Sequence, residues 1–533
     1  MPGSLVGDGF VDRPKGSGVH NRTVRDRRVV LAACAVCTPR HPSAAIVNES
    51  LRYALMVLFS SAVGLVAVLA NRLTERFKIP VPLLVLVGTA VAVHAVPVVQ
   101  PPSERVVERV ITIALVLVLF DGGMHIGPRR FRAAIAPILS VGVVGTALTA
   151  AGAALMLHYA CGISWFPAVL VATAVAPTDP AVVFSVLGKR EIRGRSSTIL
   201  EGESGANDPV GISLMSSLIA AGGLTAAGFA SVGGQFVLQM AIGLAVGVIG
   251  GRALLVFMRR VALPSEGLYP LRTLASCLML YGIATLAHGS GFLAVFVAGI
   301  VIGDARAPYK PEIKRFHAAL AGLAEIVAFV VLGLTVDLDV LTHPDVWIPG
   351  LVLGVTLTAL IRPLAVGACL VGVQLKRNER VFILFSGLKG AVPILLGELL
   401  RAAHLPNAER LYGIVVVVVI FSVLVQGSSV PGVANLLHLP MRTVETQPWQ
   451  IGVRLADEPH GVHRFSVAKG SEAEGCTVEG LSDRVGDIWV SIVVRTTGLV
   501  PVRGDTELQA ADEVVILADP ELRGALAELF EPS

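Results

Sequence analysis

This 533-residue chain has little charge: Asp, Glu, Lys and Arg together make up 15% of it. A soluble domain carries roughly 25% charged residues, so an ordinary soluble enzyme is excluded. Aromatics are sparser still, at 5%, so the apolar 54% is mostly aliphatic; with 55 glycines it suits tightly packed membrane helices. Six cysteines make no disulfide framework. Cys161, Cys277 and Cys369 lie in or beside apolar runs and Cys476 near the C-terminus. The Cys34-x-x-Cys37 pair lacks the second pair or histidines of a zinc site. An H-E-x-x-H motif and a facing pair of catalytic aspartates are both missing, which argues against an intramembrane enzyme. No dense basic stripe marks a soluble module, so nucleic acid is not an expected partner.

The net charge of +4 divides unevenly. Residues 1–52 carry 8 basic and 4 acidic residues, 53–440 carry 27 and 19, and 441–533 carry 8 and 16. A spanning helix needs about 20 mostly apolar residues. Thirteen such runs follow residue 53, near 53–71, 79–98, 106–123, 133–158, 165–188, 198–221, 235–258, 271–288, 290–303, 318–336, 347–373, 381–400 and 411–429. The short ninth nearly merges with the eighth. Alternate connections hold 20 Lys and Arg, while the others hold only Arg105, Arg109, Arg401 and Arg410. The basic set is expected in the cytoplasm, which places the C-terminal tail there as well.

The expected organisation is a basic N-terminal tail (1–52), a membrane domain (53–436), a linker (437–449) and a small soluble α+β domain (450–533). In that last domain IWVSIVVR (488–495) and EVVILAD (513–519) read as strands and PELRGALAELF (520–530) as an amphipathic helix. Segment 1–52 fits the topology poorly, because RDRR at 25–28 would be exported. A translation start placed too early accounts for it better than an additional inserted segment.

An ionisable residue inside a membrane helix is costly and is a functional candidate by default. The densest cluster is Glu201-Gly-Glu203-Ser204-Gly-Ala-Asn207-Asp208-Pro209 in the sixth run. Helical spacing puts Glu201, Ser204 and Asp208 along one face, with Glu203 and Asn207 about 100° away. Three carboxylates so close cannot all stay ionised and unpaired at low dielectric. Arg362, in the eleventh run, is the available partner for Glu203, and such a pair holds helices together. Asp208 is then left to bind a proton or a hard cation in competition, with Ser204 and Asn207 to orient the site; the plainer reading is a helix cap. Glu201 lies nearer the cytoplasmic end and lines an entrance.

In the fifth run, Pro177-Thr178-Asp179-Pro180 should unwind the helix at mid-span. The twelfth run, Ser386-Gly-Leu-Lys389-Gly390-Ala-Val-Pro393, is broken in the same way. The two runs occupy equal places in an inverted repeat, the best sequence pointer to a transporter site. Asp179 and Lys389 would compensate the exposed helix dipoles. Asp121, in LFDGGM, is read as ending the third helix, at the site or at the interface. Glu325, without an evident partner, is expected to snorkel to water; Glu398 and His288 sit near span ends with no special role.

LVLVLFDGGM, ATAVAPTDPAVVFSVLG, LEGESGANDPVGI and GLKGAVPI, in this order, resemble the monovalent cation:proton antiporter-1 family over about 53–436. The branch looks like the bacterial NhaP-type proteins, and the tail over about 450–530 is similar to a TrkA-C (RCK C-terminal) domain. This resemblance implies a homodimer of thirteen-helix protomers in the cell membrane, each with a dimerisation part and a moving core. It implies that Asp208 binds ion and proton, that Thr178, Asp179 and Ser204 help form the site, and that Glu203 and Arg362 form a bridge. An Asn-Asp pair implies electroneutral exchange. K⁺ is favoured over Na⁺ because TrkA-C-bearing relatives often handle K⁺, while the Asp208 cluster itself does not decide between them; a small-molecule ligand is expected at the tail, and no cofactor is expected. Lys389 stands where many relatives have Arg. The competing class is a ligand-gated cation channel or uptake permease, whose flux would ignore a pH gradient.

Overall fold

The computed structural model describes residues 81–95, 102–187, 190–192, 195–223, 225–439, 441–443, 461–486, 488–495 and 498–531, with residues 58 and 65. The basic N-terminal segment with its Cys34–Cys37 pair, the first apolar run and most of the expected linker lie outside the described residues. The chain divides into two compact units, Met1–Val444 and Glu445–Ser533.

The larger unit is helical. Its helices are α1 (Val81–Ala95), α2 (Glu104–Ala133), α3 (Ile135–Cys161), α4 (Trp165–Val175), α5 (Pro180–Leu187), α6 (Arg195–Ala221), α7 (Ala226–Arg260) and α8 (Leu268–Leu286). They continue with α9 (Gly291–Gly303), α10 (Lys310–Thr335), a one-turn α11 (Leu338–Thr342), α12 (Pro344–Cys369), α13 (Arg377–Phe385), α14 (Ala391–Ala402) and α15 (Ala408–Leu436). Among the described residues six spans are each long and apolar enough to cross a membrane: α2, α3, α10, α12, α15 and the Ala230–Arg260 part of α7. Every apolar run from residue 79 onward contains helix, and runs 165–188 and 381–400 are each split in two. The eighth and ninth runs are separate helices, because His288 turns the chain at φ 59° and the Ser290 hydroxyl caps α9 by accepting the Leu293 N–H at 3.4 Å.

Helix α2 corrects one expectation. Asp121 does not end it; the helix runs on and kinks at Gly127, φ 65°, before Pro128. Packing overrides the Asp-Gly-Gly stop signal, since Gly123 lies directly on the Phe296–Gly299 backbone of α9 and only hydrogen fits there. The kink frees the Arg129 N–H, which donates to Asp304 Oδ2 at 3.1 Å. Three single-turn π segments, Ser140–Gly145 in α3, Leu357–Ile361 in α12 and Ser422–Gly427 in α15, shift the register of otherwise α-helical spans. Strand β1 (Arg190–Ile192), between α5 and α6, pairs antiparallel with β2 (Met441–Thr443) after α15.

The smaller unit is an antiparallel sheet of order β3-β6-β4-β5, from β3 (Val462–Ser466), β4 (Ile488–Arg495), β5 (Gly498–Val500) and β6 (Glu513–Ala518). Helices α16 (Val478–Val485) and α17 (Arg523–Phe530) supply Leu481, Leu526 and Phe530 to a core with Val493, Val514 and Ile516. β4, β6 and α17 match the sequence pattern; β3, β5 and α16 are too short or too polar to register in it.

Candidate functional site

Two broken helices meet at their breaks. Helix α4 ends at Val175 and α5 begins at Pro180, because a proline ring removes a donor and displaces the carbonyl four residues back. The Asp179 N–H bonds instead to Leu388 O, within the second break, at 2.8 Å. Lys389 Nζ reaches back across the crossing to Ala176 O at 3.0 Å and Pro177 O at 3.1 Å, at the carbonyl end of α4. The Asp179 carboxylate lies against Gly390, which caps the N-terminus of α14, and a Cβ at position 390 would collide with it. A cation at a helix C-terminus and an anion at an N-terminus both oppose the local dipole.

The end of α13 is satisfied in the same manner. Arg362 donates from Nη2 to Ile383 O and from Nε to Leu384 O, each at 3.1 Å, and Phe385 O accepts from the Gln426 amide. A broken helix leaves unpaired carbonyls that lipid cannot solvate, and here side chains from α12 and α15 take the place of water. Gly387 leaves room for the Arg362 guanidinium, which occupies the space of a Cβ.

Helix α6 brings the carboxylates to this crossing. Arg362 grips Glu203 with two bonds, Nη1 to Oε1 at 2.7 Å and Nη2 to Oε2 at 3.1 Å. The Thr178 hydroxyl sits 3.3 Å from Glu203 Oε1 and accepts from Asn207 Nδ2 at 2.9 Å. Glu203, Asn207 and Asp208 are 2%, 1% and 6% exposed, so the whole chain of contacts is buried. Because the Asn207 amide nitrogen is committed to Thr178, its Oδ1 faces away, and this atom and Asp208 Oδ1 are both buried with no hydrogen-bond partner among the described residues. Ser204, one turn before Asp208, is a side-chain partner of that carboxylate, and Asp179 and Lys389 are the charges that act on it. Unanswered oxygens on two consecutive buried residues are the kind of donor that a hard cation or a proton takes.

The structure therefore brings together Thr178, Asp179, Glu203, Ser204, Asn207, Asp208, Arg362 and Lys389. Glu201 and Asp121 stand apart from that chain of contacts. Glu201 pairs with Arg130 at 3.3 Å and accepts from Ser197 Oγ at 2.7 Å, tying α6 to the end of α2. Asp121 lies 3.2 Å from His125, one turn along α2. Glu325 does not snorkel: its Oε1 is buried without a partner and it feels the Asp179 charge, because α10 packs on α14 and turns this position inward. Reading charges along the sequence passed over Thr358, Ser422 and Gln426. Gln426 is neutral, and only its polarity within the apolar stretch VLVQGSSV marks it.

Two crossed, interrupted helices with compensated ends around a buried carboxylate define a secondary transporter. The chain belongs to the sodium/hydrogen exchanger family, whose transmembrane region matches residues 62–436. It is a transporter and not an enzyme. It is 34% identical over 389 residues to the K⁺/H⁺ antiporter NhaP of Alkalimonas amylolytica, covering 72% of this chain and 67% of that one. Identity to the K⁺/H⁺ antiporter NhaP2 of Shewanella oneidensis is 31% over 481 residues, covering 89% and 83%. The fold is shared with the sodium proton antiporter MjNhaP1 of Methanocaldococcus jannaschii, with a TM-score of 0.61 at 21% identity over 72% of this chain and 99% of that one.

Proposed function

We propose that this chain exchanges a monovalent cation for a proton by alternating access, with Asp208 carrying each in turn. The observation that carries the reading is the pair of unanswered oxygens, Asp208 Oδ1 and Asn207 Oδ1, beside a Glu203 already neutralised by Arg362. Asp208 alone takes part in the exchange, holding one proton or one cation in turn, so the exchange is electroneutral. Thr178, Ser204 and Asn207 orient the site, Asp179 and Lys389 hold the crossing, and Glu203 with Arg362 is structural. Relatives named as K⁺/H⁺ antiporters favour K⁺ over Na⁺ as the cargo, although a more distant one, 26% identical, is named a Na⁺/H⁺ antiporter.

The protein works in the cell membrane as a homodimer, in cation, pH and volume homeostasis. Its domains are the membrane unit over 53–436 and a TrkA-C-like cytoplasmic unit over 450–533 that binds a small ligand and regulates exchange. Support for that regulation comes from the chain that leads into the tail. β2 pairs with β1, between α5 and α6, and Leu437 O accepts from Asn378 Nδ2 of α13 at 2.8 Å. The segment preceding the tail is thus tied to elements that carry both breaks.

The test is exchange in everted vesicles with Li⁺, Na⁺, K⁺ and Rb⁺ across pH. Asp208→Asn, isosteric and uncharged, is expected to reach the membrane in normal amount and to abolish cation-dependent proton flux. Normal exchange by that variant would overturn the mechanism.

A further inference from the structure

We infer that Gln426 is a positioning residue for the exchange: through Ser422 it holds the backbone of Lys389, and with it the crossing on which the Asp208 site is built. The inference rests on the reading of Asp208 as the site of ion and proton.

Gln426 is 4% exposed and lies in α15, among valines and leucines, where an amide is costly unless every hydrogen bond is met. The π segment Ser422–Gly427 places it and Ser422 side by side, next to the second break. Its Nε2 donates to Phe385 O, and its Oε1 accepts from the Ser422 hydroxyl at 3.0 Å and from the Thr358 hydroxyl at 3.3 Å. A carbonyl only accepts, so Phe385 O dictates which way the amide faces. The Ser422 proton is thereby committed to Gln426, and the lone pairs of the same hydroxyl receive the Lys389 N–H at 3.0 Å. One side chain, through one hydroxyl, thus ties down both edges of the 385–389 break.

A cavity of about 10 Å³ lined by Thr358, Arg362, Gly387, Lys389, Ser422 and Gln426 lies beside this segment, so packing on that side is incomplete and the polar ties add to what holds the break. Without those ties Lys389 Nζ would leave Ala176 O and Pro177 O, and the carbonyl end of α4 would move relative to Thr178 and Asp208. The effect belongs on cation affinity, because Gln426 touches neither Asp208 nor the cation and acts only on how their surroundings are held.

The experiment measures exchange by the full-length chain in everted vesicles, against cation concentration at fixed pH. Gln426→Met, close in volume and without hydrogen bonds, is expected to raise the apparent KM for the cation about tenfold, equivalent to about 1.4 kcal/mol. Vmax per folded protein is expected to stay within about threefold of the parent. Ser422→Ala removes one oxygen and should give a similar KM shift. Because both act through the same bond to Lys389, the double variant should have a KM no higher than the worse single one. An unchanged KM with a fall only in Vmax or in membrane-inserted protein would overturn the inference, as would fully additive KM effects. Where Gln426→Met fails to insert, Ser422→Ala decides alone by the same KM criterion. Asp208→Asn in the same vesicles separates the two readings. Normal exchange by that variant sinks the function, whereas an inactive Asp208→Asn beside an unshifted Gln426→Met KM sinks only the positioning role.

Discussion

At the scale of single residues, the site depends on which charges are already spent. Glu203 and Arg362 are 2% and 4% exposed and bonded at both oxygens, so neither is available to a passing ion. A buried pair of this kind adds little stability over an apolar pair, but breaking it leaves a bare charge worth about 3–5 kcal/mol. Arg362→Ala is therefore expected to lower the melting temperature of the purified protein sharply and also to release α13, because Ile383 O and Leu384 O lose their donor. Glu203→Ala should do the same to a lesser degree, leaving the guanidinium its two carbonyls. A melting curve unchanged in Arg362→Ala would refute the account. In the smaller unit, burial pushes Asp512 up, but the Arg495 guanidinium and the Gln509 N–H outweigh it and hold the carboxyl below its ordinary value. Stability from a depressed carboxylate is complete above the unfolded pKa of about 3.9 and is lost as pH falls through the lower folded one. Hydrogen exchange of β6 is thus expected to be insensitive to Asp512 protonation from pH 8 to about 5. Asp512→Asn should raise β6 exchange throughout that window; an equal rate would show that the Arg495 pair holds nothing.

At the scale of elements, the two breaks are where the protein spends helical hydrogen bonds, and each lost bond is answered by a specific neighbour. Glycines decide whether those neighbours fit. Position 387 must leave room for Arg362 and position 390 for the Asp179 carboxylate, so one methyl group displaces a charge in either place. Gly390→Ala and Gly387→Ala are each expected to cut exchange at least about tenfold while the helices still form, since alanine is a better helix former than glycine. Gly282→Ala on α8, where a Cβ meets nothing within 4 Å, is the matched control and should exchange normally. Equal activity of all three variants would refute the steric argument. The Pro177/Pro180 break is legible directly from the sequence, because proline acts locally. The exit from α2 is not legible: Gly127 and Pro128, rather than Asp121, mark its kink, and the reason is the fit of Gly123 to α9, far along the chain.

For the whole molecule, the larger unit holds every residue of the candidate site, and its strand β2 pairs with β1 beside the broken helices. A chain ending before Glu445 keeps every residue of the site, so exchange and its dependence on Asp208 are expected to persist. What should change is the response of rate to pH and ionic strength on the side facing the tail. A truncated protein that is folded but inactive would place the tail in the chemistry itself. The α+β character of the tail follows from the short apolar runs of β4 and β6 and the amphipathic α17, whereas β3 and β5 are edge strands defined only by pairing with β6 and β4.

The sequence by itself determined the membrane class, two proline- or glycine-marked interruptions, and the candidates Asp208 and Glu203–Arg362. Composition, local stereochemistry and the cost of an unpaired charge in an apolar medium all act without reference to the fold. Only the tertiary structure decided that Lys389 caps α4, that Glu325 turns inward, that Glu201 and Asp121 stand apart, and that neutral Gln426 holds the second break. Those assignments depend on which carbonyl meets which donor, and such meetings are set by packing between helices distant in the chain.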